Sequence, residues 1–393
     1  MHSLSDDFLR HVLSTSNTPL YVYELDRTRA RINEIRQAFG GVQRFSLLFA
    51  TMANPSTEML SFVAGSGLGA CVNSIAHLNK SISVEVPPSK IHFTSTGVSN
   101  HDMREIAHCG ANFNADSSSQ LLRWIEESGG RPCGLRVNAS TLCNKSTQKS
   151  ADRIGIAAER IPELAIKGQM LGGRVIGLHV YLGTNFSSPT EMLPSLETLF
   201  LLARDIEDIE YVNIGGGMGL DYSKSGIKFD LEYFGLRVTT MLRDLELNIG
   251  REVELVFEPG RGLVGDSAVF IASVTDCKSI ASDYYVAVDA SVAIFPRPLH
   301  HPDSPHKIKC LNGSLDNAYA GVKASIVGRT TFSKDILGSC MLPECISLGD
   351  VLVFEDAGAY CDSMRSSFLG QTRANNLYFN SGEPFVCDKV TSE

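Results

Sequence analysis

The chain has 393 residues, 43% of them hydrophobic and 20% charged, with 34 glycines and 15 prolines, a composition that excludes a disordered, collagenous or coiled-coil protein. Its net charge of −9, with no basic cluster, argues against a nucleic-acid partner, and no apolar run reaches the roughly 18 residues needed to span a bilayer. This length predicts two or three domains, or a barrel with an accessory domain, and a core that needs no covalent staples.

The opening residues, Met1 to Leu13, carry acids and lack the apolar segment of a signal peptide, which predicts a cytoplasmic protein. Residues 19–24, Pro-Leu-Tyr-Val-Tyr-Glu, read as a strand ahead of the main pattern, available to pair with a C-terminal sheet. Short apolar runs then alternate with helical stretches. The expected strands are 45–51, 69–74, 91–95, 111–116, 134–138, 175–182, 211–214 and 254–258, several of them rich in Val, Ile, Leu and Phe, as strands buried on both faces should be. The expected helices are 25–39, 55–66, 100–109, 117–127, 161–170, 190–206 and 231–247, with Gly67, Gly110 and Gly129 punctuating their ends. Eight strands alternating with helices is the rhythm of an α/β protein of the (β/α)8 TIM-barrel type; an open doubly wound sheet is the competing arrangement.

After Arg261 the rhythm changes. Residues 268–275, 284–289, 306–310, 321–327, 351–355, 377–379 and 385–387 read as strands without intervening helices, a second, C-terminal β-domain. The expected division is a barrel over 26–265, with 1–25 and 266–393 forming the β-domain. Ten cysteines are present and none forms a Cys-x-x-Cys pair, so they read as reduced, mostly core thiols and no metal site is expected.

Barrel sites are built at the C-terminal ends of the strands. Those ends carry Met52-Ala53-Asn54, then His179-Val180-Tyr181-Leu182-Gly183-Thr184, then Gly215-Gly216-Gly217, then Glu258-Pro259-Gly260-Arg261. The triple glycine suits close approach of backbone N–H groups to a phosphate, with Thr184 and Arg261 at neighbouring ends, or else it only makes a tight turn. Glu258 is placed to hold a protonated ring nitrogen, or to pair with Arg261. The Tyr181 ring either stacks on a planar ligand or fills the barrel. His300 and His301 read as loop histidines rather than metal ligands, and Leu196–Leu202 as part of a core-facing helix.

The order of these motifs resembles the pyridoxal-phosphate-dependent decarboxylases of the alanine-racemase fold (fold type III), the ornithine and diaminopimelate decarboxylase family, over nearly the whole chain. Gly215-Gly216-Gly217 resembles the family's phosphate loop, and Glu258-Pro259-Gly260-Arg261 its Glu-Pro-Gly-Arg motif. Asp356-Ala357-Gly358-Ala359-Tyr360 and Phe295-Pro296-Arg297-Pro298-Leu299 resemble segments of the diaminopimelate branch. The resemblance implies that Thr184, Gly215, Gly216, Gly217, Gly260, Arg261 and Tyr360 hold the cofactor phosphate and that Glu258 meets the pyridine nitrogen. It puts Tyr181 where the family has a ring-stacking His. It implies that Arg297 binds a distal substrate carboxylate, with His301 nearby. It also implies a homodimer in which Tyr360 and the 328–335 segment cross to the partner.

The departures are as informative. The family's Schiff-base lysine is replaced by Met52, whose thioether cannot form an imine, shuttle a proton or carry charge. Thr331 and Phe332 stand where the family has a proton-donating Cys and an acid. Cys71 replaces an Asp and His77 a Glu. A laboratory exchange of the lysine would leave the other positions intact, so these changes read as a naturally altered pocket. Lys323 and Lys334 lie in the β-domain, away from any barrel strand end, and are not expected to substitute.

Three expectations remain open at this point. The protein is an enzyme that uses pyridoxal phosphate non-covalently, or one that has abandoned the cofactor for another phosphorylated or carboxylated ligand, or a non-catalytic partner subunit. The favoured one is decarboxylase-like processing of a carboxylate-bearing amino-acid derivative in a biosynthetic pathway of siderophore or antibiotic type. Retained Arg297 supports a distal carboxylate, and loss of an acid at Phe332 disfavours a diamine such as ornithine or lysine.

Overall fold

A computed structural model describes residues 4–142, 153–311 and 321–385. Among these, 32–219 and 228–262 form one compact unit, and 4–31, 220–227 and 263–385 form another. The division expected over 26–265 differs mainly in the segment 220–227, which groups with the second unit.

The chain opens with α1 (Asp6–Leu13), β1 (Leu20–Glu24) and α2 (Leu25–Ala38). Eight strands follow: β2 (Phe45–Ala50), β3 (Gly69–Val72), β4 (Ile91–Thr94), β5 (Asn112–Ala115), β6 (Cys133–Val137), β7 (Val175–Val180), β8 (Tyr211–Asn213) and β9 (Glu254–Phe257). All neighbours pair in parallel, and β9 returns to β2 with Phe45 opposite Leu255. That closure makes the sheet a barrel and excludes the open doubly wound alternative.

The outer helices are α3 (Thr57–Gly65), α4 (Ile75–Ser83), α5 (Asn100–Cys109), α6 (Ser118–Ser128), α7 (Ile161–Met170), α8 (Leu193–Ala203) and α9 (Leu231–Ile249). Their starts are written in the chain. Ser56, Ser74, Ser99 and Ser117 each accept a hydrogen bond from the backbone N–H three residues on, the usual way to satisfy an orphan donor. Gly110 and Gly129 end α5 and α6 in the left-handed conformation, at φ 86° and 69°. Helix α8 begins later than expected because Pro194 sits in its first turn, where proline is tolerated, and not in its interior.

The barrel interior is a close-packed core with a polar thread. The Tyr211 ring crosses it and donates from its hydroxyl to Oδ1 of Asn114, at 2.6 Å. Gly134 and Gly177 make room for it: a Cβ on Gly177 would sit 2.0 Å from a ring carbon of Tyr211, and one on Gly134 2.1 Å from its hydroxyl.

The second unit is a nine-stranded mixed sheet built from β1, β10 (Ala268–Ile280), β11 (Asp283–Val288), β12 (Ile308–Cys310), β13 (Gly321–Val327), β14 (Ile336–Pro343), β15 (Val351–Phe354), β16 (Asn375–Asn380) and β17 (Glu383–Pro384). Strand β1 lies inside it, antiparallel to β10 and parallel to β16, in the pairing expected of residues 19–24. Tyr23 stacks on Tyr378 at 4.4 Å, and Phe270 on Phe295 at 4.5 Å. Strand β14 was absent from the sequence expectations because Gly338 and Ser339 interrupt its apolar pattern. Of the last expected strand, 385–387, residues 386 and 387 lie outside the described residues; the last described strand is Glu383–Pro384. Helices α1 and α4 were also unanticipated; both are short and rich in polar residues. No helix among the described residues is long and apolar enough to cross a membrane.

Candidate active site

The C-terminal ends of β7, β8 and β9 converge on one carboxylate. Glu258, just past β9, is 5% exposed. Its Oε1 accepts a hydrogen bond from Nδ2 of Asn213 on β8, at 2.6 Å. Its Oε2 lies 3.3 Å from Nε2 of His179 on β7. Asn213 is itself fixed, accepting from the Gly215 N–H at 2.9 Å, and the Glu258 N–H donates to the Gly215 carbonyl at 2.8 Å. Burial pushes the Glu258 pKa up, but His179, and then His92 and Asn213, outweigh it and hold the carboxyl at about 2. Glu258 therefore carries no proton at neutral pH. Its partners are Asn213 and His179, rather than the Arg261 pairing weighed from the sequence.

Two further charged groups lie at these strand ends, Asp116 after β5 and Arg136 on β6, paired with each other at 3.4 Å. Burial, with Glu258 adding to it, raises the Cys71 thiol well above its ordinary value, so Cys71 is a small buried neutral group and not a thiolate. His92 is buried and its pKa is lowered by that burial, with its ring edge-on to Tyr211 at 5.2 Å. The Nδ1 atoms of His92 and His179 are buried with no hydrogen-bond partner.

Met52 lies in a single turn of 3-10 helix, Thr51–Ala53, directly after β2. Its half-buried side chain packs against Leu48, Cys71, Tyr211 and Val256. The preceding Thr51 hydroxyl is 3.0 Å from the Cys71 carbonyl and 2.9 Å from Nδ1 of His77.

Tyr181 and Thr184 follow β7 and are bonded to each other, hydroxyl to hydroxyl, at 2.6 Å. The Tyr181 side chain is 39% exposed, so it is not a barrel-filling aromatic. Gly215, Gly216 and Gly217 are crowded by backbone. A Cβ there would stand 2.1 Å from the Val180 carbonyl oxygen, 2.4 Å from that of Glu258 and 2.7 Å from that of Gly183. Close packing of neighbouring strand ends thus accounts for these glycines by itself. Arg261, directly after Gly260, is 7% exposed.

Met52, Tyr181, Thr184, Gly215, Gly216, Gly217, Glu258, Gly260 and Arg261 all belong to the barrel unit. The other expected site residues, Arg297, His301, Thr331, Phe332 and Tyr360, belong to the sheet unit. There Arg297 is 1% exposed, donates to the carbonyl and hydroxyl of Ser304 at 2.8 and 3.1 Å, and lies 3.5 Å over the Tyr222 ring. His301 lines a cavity of about 600 Å³ with Pro298, Leu299, Lys334 and Ser339. Phe332 meets the Phe368 ring edge-on at 5.4 Å, and Thr331 is exposed in the same turn. Tyr360 takes a left-handed backbone, φ 55°, rare for a bulky residue.

His179, Asn213 and His92 were not singled out as site residues from sequence. Their signal was a lone polar residue at the inward position of an otherwise apolar strand, which composition alone leaves ambiguous. Among the described residues, no group of three His, Cys, Asp or Glu side chains is placed to hold a metal.

A buried, ionised carboxylate at the end of the last barrel strand suits a ligand with a protonated aromatic nitrogen. Residues 25–265 match the family model for the pyridoxal-binding domain of pyridoxal-dependent decarboxylases. The chain belongs to that family of carboxy-lyases, whose cofactor is pyridoxal phosphate. Among named relatives it is similar to diaminopimelate decarboxylase of Methanothermobacter thermautotrophicus, 27% identical over 93% of this chain and 87% of that one. The Zymomonas mobilis enzyme of the same name is 26% identical over 92% and 87%. In structure it is similar to Helicobacter pylori diaminopimelate decarboxylase complexed with L-lysine, with TM-score 0.84, 22% identity and 94% of each chain covered. It is also similar to Vibrio vulnificus lysine/ornithine decarboxylase complexed with putrescine, with TM-score 0.83, 17% identity and 95% and 98% covered.

Proposed function

We propose that this protein is a pyridoxal-phosphate decarboxylase that works without a covalent lysine anchor. Its substrate is an amino-acid derivative bearing a further carboxylate, in a biosynthetic route of siderophore or antibiotic type, and it acts as a homodimer. The observation that carries this reading is Glu258. A buried carboxylate held ionised at this strand end suits the task of keeping a pyridine nitrogen protonated. The cofactor, when bound, takes up the electron pair released as carbon dioxide leaves.

The chain's own residues supply the rest. Glu258 orients and charges the ring, with Asn213 and His179 holding its carboxylate rigid. Thr184, Gly216, Gly217 and Arg261 are assigned to the phosphate, and Tyr181 to the ring face. Arg297 and His301 are assigned to the distal carboxylate, and Tyr360 to the phosphate. Met52 itself offers no nitrogen where a lysine would stand, so turnover is slow relative to a lysine-bearing enzyme while ligand binding survives.

One observation favours a second reading, a pocket that binds without turnover: Met52 is packed as a core side chain and both Glu258 oxygens already have protein partners. Native mass spectrometry with and without pyridoxal phosphate, and with borohydride, separates the two when combined with a carbon dioxide release assay on dicarboxylic amino acids. A non-covalent cofactor mass with release supports the first reading. Cofactor without release supports the second. No cofactor under any condition overturns both.

A further inference from the structure

A pocket without the lysine still needs a group to move protons, because an amino acid arrives with its nitrogen protonated. The titratable groups described at the barrel mouth narrow the choice. Glu258 holds no proton to give, Cys71 and His92 are deeply buried, and Asp116 is buried and paired with Arg136 at 3.4 Å. His179 is engaged with Glu258, and the Tyr181 hydroxyl with Thr184. His77 differs from all of these. It sits in the first turn of α4, at the C-terminal end of β3, and is of intermediate exposure.

Its tautomer follows from the bonds of Thr51. That hydroxyl has one proton and three contacts, of which the two shortest are the Cys71 carbonyl at 3.0 Å and Nδ1 of His77 at 2.9 Å, and the third is the weakly accepting Met52 sulfur at 3.6 Å. A carbonyl can only accept. Both contacts are satisfied when Thr51 donates to the carbonyl and Nδ1–H donates to Thr51. The reverse choice would set two oxygen lone pairs against each other at 3.0 Å. Neutral His77 therefore carries its hydrogen on Nδ1 and a bare lone pair on Nε2. Burial, and then the charge of Lys80 one turn along, lower the His77 pKa from 6.5, so the neutral form prevails at pH 7. The same Thr51 oxygen lies 3.6 Å from Sδ of Met52, so one hydroxyl contacts both this histidine and the side chain that stands at the position of the missing amine.

We propose that His77 is the proton-transfer group of this pocket, with Thr51 as the residue that fixes its tautomer. This rests on the reading of the pocket as a lysine-free amino-acid decarboxylase. In the step assigned to it, an N–H bond of the substrate ammonium breaks, its electron pair stays on nitrogen, and an Nε2–H bond forms. When the bond from Cα to the carboxylate carbon breaks, carbon dioxide leaves and its electron pair stays on Cα. The His77 imidazolium then returns its proton to that carbon. The balance is one zwitterionic amino acid in, one neutral amine and carbon dioxide out, with His77 regenerated.

The first test needs no cofactor. Long-range nitrogen–proton NMR of histidine-labelled protein reports the tautomer directly: Nδ1–H at His77 is expected, shifting toward an Nε2–H mixture in Thr51→Val. An Nε2–H tautomer in the unaltered protein overturns the proposal. The second test is carbethoxylation by diethyl pyrocarbonate, mapped by peptide mass. Modification of His77 is expected, and saturating pyridoxal phosphate should protect it. Unprotected His77 in protein that equilibrium dialysis shows to be loaded overturns the proposal, whereas failure to load overturns the functional reading instead. Where turnover is measurable, His77→Gln should lower kcat by about 100-fold, the usual scale of general acid–base catalysis, and leave cofactor affinity unchanged.

Discussion

Nε2 of His179 lies 3.3 Å from the Glu258 carboxylate, and neither side chain is more than 5% exposed. The pair reaches across β8, whose Asn213 holds the other carboxylate oxygen. Three adjacent strand ends are thus tied through a single anion. The tie makes the charge state of Glu258 a property of the fold as well as of the pocket.

A pH dependence follows. The folded-state pKa of Glu258, about 2, lies below its ordinary value of 4.5. Its ionised form therefore stabilises the fold above about pH 4.5, and that contribution is lost as pH falls toward 2. Urea unfolding at stepped pH should show a steeper acid loss for the natural chain than for Glu258→Gln. The same substitution should weaken pyridoxal phosphate binding at least about tenfold, through loss of a charge-assisted bond. Equal affinity would remove Glu258 from the cofactor site.

Met52→Lys restores an amine at the strand-end turn. Incubation with pyridoxal phosphate and borohydride should then give a covalent adduct on peptide mass mapping, at residue 52 and nowhere in the unaltered protein. A folded variant with no adduct would falsify the placement of this residue at the cofactor.

Gly177→Ala forces a methyl group into the Tyr211 ring, where the free space is 2.0 Å. Overpacking of this kind costs about 1–3 kcal/mol. Chemical denaturation should show that loss, and Tyr211→Leu in the same chain should recover part of it. Additive losses would mean that the two side chains do not share the space.

Arg297→Lys keeps the charge and loses the flat guanidinium that covers Tyr222 and the two bonds to Ser304. A stability loss of about 2 kcal/mol is expected from those charged hydrogen bonds. An unchanged midpoint, with only a raised KM for a dicarboxylic substrate, would show that the residue serves the ligand alone.

The barrel was legible because its strands are apolar runs alternating with helical spacing, and α5 and α6 end at Gly110 and Gly129, signals that are local. Strand β14 was not legible, since its place is dictated by partners on β13 rather than by its own composition. Glu258 stood out as a carboxylate beside Pro-Gly-Arg, but its partner did not. The sequence neighbour Arg261 was weighed, while His179, 79 positions earlier, is the residue that the closed sheet delivers. Arg297 was legible as a cation and not as a buried one, because its acceptors on Ser304 depend on how the following loop turns back.

The position of β1 has a consequence for how the chain is made. Both of its partners are made long after it: β10 begins at Ala268, and β16 at Asn375, more than 350 residues later. All eight barrel strands are synthesised before either partner exists, so β1 waits with both edges unpaired, edges able to recruit foreign strands. The segment ahead of it carries two aspartates and an arginine in α1, charges that keep the waiting strand in water. Strand β16 therefore completes the pairing of β1, and a chain cut short before β16 leaves β1 with an exposed edge.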